Sequence, residues 1–223
     1  MRKNTKLILD DLVEAMQFHK DAANAGPMAS YMKNKFAFLG IKQPLRKELS
    51  AGFIKTSKTL EGREIIALCN ALWKMPEREF QLIALELLYA SRKQWNEEFL
   101  LFFNTIVERK AWWDTIDFIA TKLYGGYYAG TKRPPQMLQW SKSADIWQNR
   151  VAILFQLNYK DKTDKELLFE IIERLKGNKE FFIQKAIGWS LRQYYRSRPG
   201  VVEKFVTTAG LNGLAKREAL KHA

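Results

Sequence analysis

Three observations predict an all-helical fold built from stacked helix pairs. Apolar residues recur at helical spacing, helix-breaking residues fall between those stretches, and a weak period runs through the chain. No segment of the 223 residues sustains the alternation of half-buried strands joined by hairpin turns. At 47% hydrophobic residues the chain can bury one sizeable core or a row of stacked units.

In chain order, Leu7, Leu9, Leu12, Val13 and Met16 form the first apolar stripe. Gly26-Pro27 reads as the first break, and Gly40 to Pro44 as the second. The apolar run Ile65 to Leu72 holds the one cysteine, Cys69, and ends before Met75-Pro76. A lone cysteine excludes a disulfide framework and is expected to pack in that helix. Thr115 to Tyr124 reads as a helix stopped by Gly125-Gly126, with a further break at Pro134-Pro135. Leu167, Leu168, Ile171, Ile172 and Leu175 make a late stripe closed by Gly177-Asn178, and Pro199-Gly200 sets off the last segment.

The period refines this picture. Ala84, Phe118, Ala152 and Ala186 each lie 34 residues after the one before. The next positions are Leu85, Ile119, Ile153 and Ile187; five residues before the aligned ones stand Glu79, Trp113, Trp147 and Phe181. The series extends loosely to Ala51 and Ala219. A unit of that length with two helices buries its apolar face on the next unit. The tetratricopeptide repeat has the length, but its Trp…Leu-Gly…Tyr signature is absent. The expected architecture is an all-α, HEAT-like helical-repeat solenoid, one domain over residues 1–223. Its concave side is a natural groove for a long partner.

Charge bears on what that partner is. Lys and Arg number 37 against 24 Asp and Glu, a formal net charge of +13. From Lys179 onward nine basic residues face three acidic ones. Such an excess fits phosphate binding, where each neutralised phosphate releases counterions. A solvated basic surface is the plainer reading, and charge alone does not separate DNA from RNA or an anionic membrane. No apolar run approaches the ~18 residues of a membrane span and no basic-then-apolar leader is present, so a soluble, cytoplasmic setting is expected. His19 and His222 stand near opposite ends, which argues against a histidine metal cluster.

Trp112-Trp113-Asp114-Thr115-Ile116-Asp117 is the stretch that points to chemistry. On a helix Trp113 and Asp117 share one face. A ring face beside a carboxylate holds a cation through quadrupole and charge together. Read from the residues alone, Asp114 is equally an N-cap and Asp117 a first-turn acid favoured by the helix dipole. Trp189, on an apolar helix, is equally a core residue, and Arg150 equally a partner of Asp145 or another acid. Trp73, Trp95, Trp140 and Trp147 read as packing residues, and Lys33 and Lys35 as solvated lysines.

Longer stretches carry a resemblance. Tyr31-Met32-Lys33-Asn34-Lys35-Phe36 with Phe38-Leu39-Gly40-Ile41, Leu72-Trp73 with Pro76 to Gln81, Trp112 to Asp117, Arg150 with Ala152 to Leu157, Lys179 to Trp189 with Leu191-Arg192, and Lys216 to Ala219 follow one another along the chain. In this order they resemble the AlkD-like DNA glycosylases, which remove alkylated purines. Gly125 to Gln139 and the amino-terminal helix match least.

The resemblance implies that Asp117 is the catalytic carboxylate, with Trp113 and Trp189 as aromatic walls around the lesion's deoxyribose. Arg150 and Arg192 would contact the DNA backbone, and Tyr31 would stand at the cleft. Lys185, at the repeat position equivalent to Asp117, joins them as a candidate DNA contact. The resemblance further implies a concave, basic DNA-binding groove, no metal or organic cofactor, and approach through the sugar while the lesion stays in the duplex. The expected partner is duplex DNA containing alkylated purines, bound by a monomer that is nucleoid-associated when on DNA. Two rivals remain at this point: a non-catalytic HEAT-like nucleic-acid sensor, and a scaffold whose groove takes an acidic peptide.

Overall fold

The structure, a computed structural model, describes residues 2–221; His222 lies outside the described residues. In chain order the helices are α1 (Lys3–Phe18), α2 (Ala22–Tyr31), α3 (Gln43–Ser57), α4 (Gly62–Lys74), α5 (Arg78–Ala90), α6 (Glu97–Val107) and α7 (Trp113–Phe118). They continue as α8 (Gly125–Tyr127), α9 (Pro135–Trp140), α10 (Ile146–Leu154), α11 (Lys165–Leu175), α12 (Phe181–Tyr195), α13 (Pro199–Thr208) and α14 (Gly213–Ala219). A π-helical turn, Ile119–Tyr124, joins α7 to α8. Among the described residues no β-strand forms, and Ala37 and Glu77 make one isolated bridge. The all-α helical-repeat fold is the one expected.

The period is visible as buried structure. Ala84 in α5, Ala152 in α10 and Ala186 in α12 are buried, and Leu85, Ile119, Ile153 and Ile187 after the aligned positions are fully so. Ala219 in α14 is buried as well, whereas Ala51 in α3 is exposed, so the series does not extend back to it. Three residues before the aligned positions the repeat hides polar side chains that tie down the preceding turn. Gln81 donates to the Met75 carbonyl (2.8 Å), Thr115 to Trp112 (3.2 Å) and Asn149 to Trp140 (2.8 Å). Each satisfies backbone carbonyls that a helix or turn end leaves open.

Two of the expected breaks are not breaks. Pro27 lies inside α2, which has no buried residue, so the carbonyl its missing N–H leaves without a helical donor is within reach of water. Gly125-Gly126 continues the helix beyond the π turn, and a side chain on Gly125 would place its Cβ 2.6 Å from the Phe155 carbonyl oxygen. The pair permits close packing; the chain turns at Gly130 instead, at φ +85°. Cys69 packs in the core as expected, its Sγ 3.6 Å from the Ala84 carbonyl, and burial pushes its thiol up.

The chain divides into two compact units, Met1–Phe102 and Phe103–Ala223. In the first, α1 packs on α3, α3 on α5, and α4 on α5. This unit buries Glu79, whose carboxylate accepts the backbone N–H groups of Leu39 (3.1 Å), Gly40 (3.0 Å) and Ile41 (3.1 Å). Gly40 is obligatory there: φ is +90° and a Cβ would lie 2.0 Å from the Asp21 carbonyl oxygen. Arg78 is fully buried over the Phe36 ring at 3.9 Å. In the second unit α7 and the π turn pack on α10, α10 on α12, and α12 on both α13 and α14.

Candidate functional site

The second unit holds six of the seven sequence-selected side chains. Trp113 opens α7 and Asp117 stands one turn later, the arrangement expected from their spacing. Trp112, not Asp114, is the N-cap residue of that helix. The Asp117 carboxylate is gripped side-on by Arg150 of α10: Nε donates to Oδ1 at 2.7 Å and Nη2 to Oδ2 at 2.9 Å. The third guanidinium nitrogen, Nη1, donates to the Phe182 carbonyl at 2.5 Å. Asp145, the alternative partner, is instead the N-cap of α10 and accepts from Trp147 N–H at 2.8 Å.

The pair is mostly shielded, with side-chain exposures of 20% for Asp117 and 6% for Arg150. Burial raises the Asp117 pKa above the ordinary carboxylate value; the hydrogen bonds and charge of Arg150 oppose the rise, and the negative charge of Asp114 adds to it. The Phe182 ring lies 5.8 Å from the Arg150 guanidinium carbon, and Trp112, Trp147 and Phe182 meet ring against ring at centroid distances of 5.2–5.6 Å. The low exposure of the pair strengthens it.

The remaining residues of this unit lie along α12. Phe182, Lys185, Trp189 and Arg192 share one face of that helix. Trp189 stands about 10 Å along it from Phe182. Trp113 and Trp189 are half-buried, leaving part of each ring to solvent. Lys185 and Arg192 are bridged by one carboxylate that the sequence reading left unassigned, Glu218 of α14. Lys185 Nζ lies 3.0 Å from Oε1 and Arg192 Nη1 2.7 Å from Oε2. The Lys185 hydrogen bond, and then that of Arg192, hold the Glu218 carboxyl below its ordinary range. Gly188 lets α14 this close, since a Cβ there would lie 2.4 Å from Glu218 Cβ. Tyr31 belongs to the first unit, where it is the last residue of α2 and 70% exposed.

A carboxylate that is fixed, mostly dry and flanked by a tryptophan suits stabilisation of a positive charge more than proton delivery. Each of its oxygens accepts one hydrogen bond from Arg150 and retains a lone pair.

The family model for DNA alkylation repair enzymes matches residues 12–223. A solved structure described as a predicted DNA alkylation repair enzyme from Enterococcus faecalis is similar, with a TM-score of 0.87 and 36% identity. The match covers 91% of this chain and 96% of that one. No curated protein matches.

Proposed function

Because the chain belongs to the DNA alkylation repair enzymes, the AlkD-like family, we propose that it is a monofunctional DNA glycosylase. Its substrates are cationic alkylated purines in duplex DNA, N7-methylguanine and N3-methyladenine among them, and their release starts base excision repair. The observation that carries this reading is the Asp117 carboxylate, shielded, held on both oxygens by Arg150 and one turn from Trp113.

Glycosidic hydrolysis passes through an oxocarbenium-like sugar with positive charge near C1′. As the C1′–N bond breaks, its electron pair leaves with the base and cancels the charge that alkylation put there. The base departs neutral, so no general acid is required. Asp117 stabilises the sugar cation and orients water towards C1′, a contribution of about 2.7–4 kcal/mol for one such electrostatic group. Trp113 and Trp189 turn ring faces to the same charge, each adding about 0.5–2 kcal/mol.

In this reading Arg150 fixes the carboxylate, while Lys185, Arg192 and Tyr31 meet the DNA backbone. The protein acts as a cytoplasmic monomer without a cofactor, on a concave, basic groove of one domain.

Incubating the protein with methylated duplex DNA and identifying released bases by mass spectrometry tests the reading. Free N7-methylguanine and N3-methyladenine are expected. Tight binding to methylated duplex with no released base would make the protein a sensor instead.

A further inference from the structure

We propose that Thr121, Asn158 and Tyr159 are positioning residues that hold Asp117 through the backbone of the π-helical turn; this rests on Asp117 being the catalytic carboxylate. Helix α7 has six residues and gives Asp117 little rigidity by itself. It runs directly into the π turn Ile119–Tyr124, at whose end the Gly125 N–H donates to the Ala120 carbonyl, five residues back. Such turns are rare and concentrate at functional sites. A widened turn shifts the carbonyls out of α-helical register, and here side chains meet them.

The Thr121 hydroxyl donates to the carbonyl of Asp117 itself at 2.7 Å. The Thr121 carbonyl in turn accepts from Asn158 Nδ2 at 3.2 Å, and the Gly125 carbonyl from the Tyr159 hydroxyl at 2.8 Å. Burial pushes the Tyr159 hydroxyl up to about 12, so it remains a donor at neutral pH. Phe155 backs the same turn, its carbonyl so near Gly125 that only glycine fits. Residues 155–159 directly follow α10, the helix that carries Arg150. One continuous segment therefore pins the carboxylate by its side chain and the following turn by its main chain. The far end is tied by Tyr124, whose hydroxyl donates to Asn104 Oδ1 at 2.5 Å, an oxygen that Gln136 also bonds at 2.5 Å.

The test is Thr121→Val, which keeps the shape and removes the hydroxyl, beside Thr121→Ser, Tyr159→Phe and Asp117→Asn. Single-turnover base release, duplex affinity and urea unfolding are measured for each. Thr121→Val is expected to slow base release about 10- to 100-fold, because small misplacements of a catalytic group are costly, with affinity within about twofold of wild type. Thr121→Ser restores the rate, and Tyr159→Phe is slowed in the same direction to a smaller extent.

A Thr121→Val rate within about twofold of wild type overturns the proposal. So does a Thr121→Ser variant as slow as Thr121→Val, or a rate that falls in step with affinity and folded fraction. A Tyr159→Phe variant at the wild-type rate removes the Tyr159–Gly125 tether from it. If Asp117→Asn also retains the wild-type rate, the glycosylase assignment of Asp117 falls, and the positioning role falls with it.

Discussion

Asp117 is pulled in two directions: burial disfavours its charge, and Arg150 opposes this in part. Replacing it with Asn removes the charge and keeps the shape, so base release is expected to fall by about 10²–10³ with DNA affinity retained. Single-turnover kinetics beside a binding titration separate the two quantities, and a rate within about threefold of wild type would falsify the catalytic assignment. The raised pKa fixes the sign of the pH dependence. The active carboxylate is lost as pH falls through a value above the ordinary carboxylate pKa, so the acid limb of kcat/KM lies above that pKa. Asp114→Asn removes a charge that raises this value and moves the limb down; a limb that stays put or rises contradicts the electrostatic account. The stability contribution runs the other way, being present below the unfolded-state pKa and lost as pH rises through the folded one. Arg150, with three hydrogen bonds inside the protein, is expected to affect rate when replaced by Ala. Arg192→Ala should instead flatten log affinity against log[salt] by about one phosphate. A flattened slope for Arg150→Ala alone would reverse these roles.

At the scale of elements, what the sequence made legible was periodic and what it hid was local. The 34-residue recurrence located buried positions in α5, the π turn, α10 and α12, because burial at a fixed spacing is a sum over many residues, while Phe118 is half-buried and Phe181 exposed. Pro27 inside α2, the helical Gly125-Gly126 and the π turn were not legible, since each depends on what packs beside it or on whether water reaches the backbone. The ion pairs carry a sequence signal of their own. Asp117 and Arg150, and likewise Lys185 and Glu218, are opposite charges 33 residues apart, nearly one repeat, which places them on packed helices. Glycines show the same dependence on neighbours. Gly188→Ala would drive a Cβ into Glu218 and against the Ala215 carbonyl at 2.9 Å, with an expected cost of about 1–3 kcal/mol in urea unfolding. Weaker DNA binding should accompany it, because Glu218 then loses its hold on Lys185 and Arg192. Gly52→Ala, within α3 and with nothing inside 4 Å, should gain about 0.5–1 kcal/mol by helix propensity. Equal effects at both sites would mean that α12 and α14 have room to separate.

For the molecule as a whole, the +13 charge and the carboxylate site make separate demands on a substrate. The charge selects a polyanion, since phosphate neutralisation acts on any sequence and fades with salt. The proposed site would select within that class by leaving group. In the proposed reading, a shielded carboxylate with two tryptophans stabilises a sugar cation and supplies no proton to a departing base. Among the described residues no helix is long and apolar enough to cross a membrane. Cationic N7-methylguanine and N3-methyladenine are therefore expected to be released from duplex DNA. Uracil and hypoxanthine, which depart as anions unless protonated, should be slower by orders of magnitude. Because the proposed contacts fall on sugar and backbone, a larger substituent at N7 or N3 should be tolerated better than a closed base pocket allows. The measurement is a panel of duplex oligonucleotides, one lesion each, treated with protein and then cleaved by alkali at abasic sites. Efficient release of uracil or hypoxanthine would require a proton donor near Asp117 and would displace the reading that none is needed. Rejection of bulky cationic adducts, with the methylated ones still processed, would mean that the base is enclosed. Contact through the deoxyribose would then no longer account for selectivity.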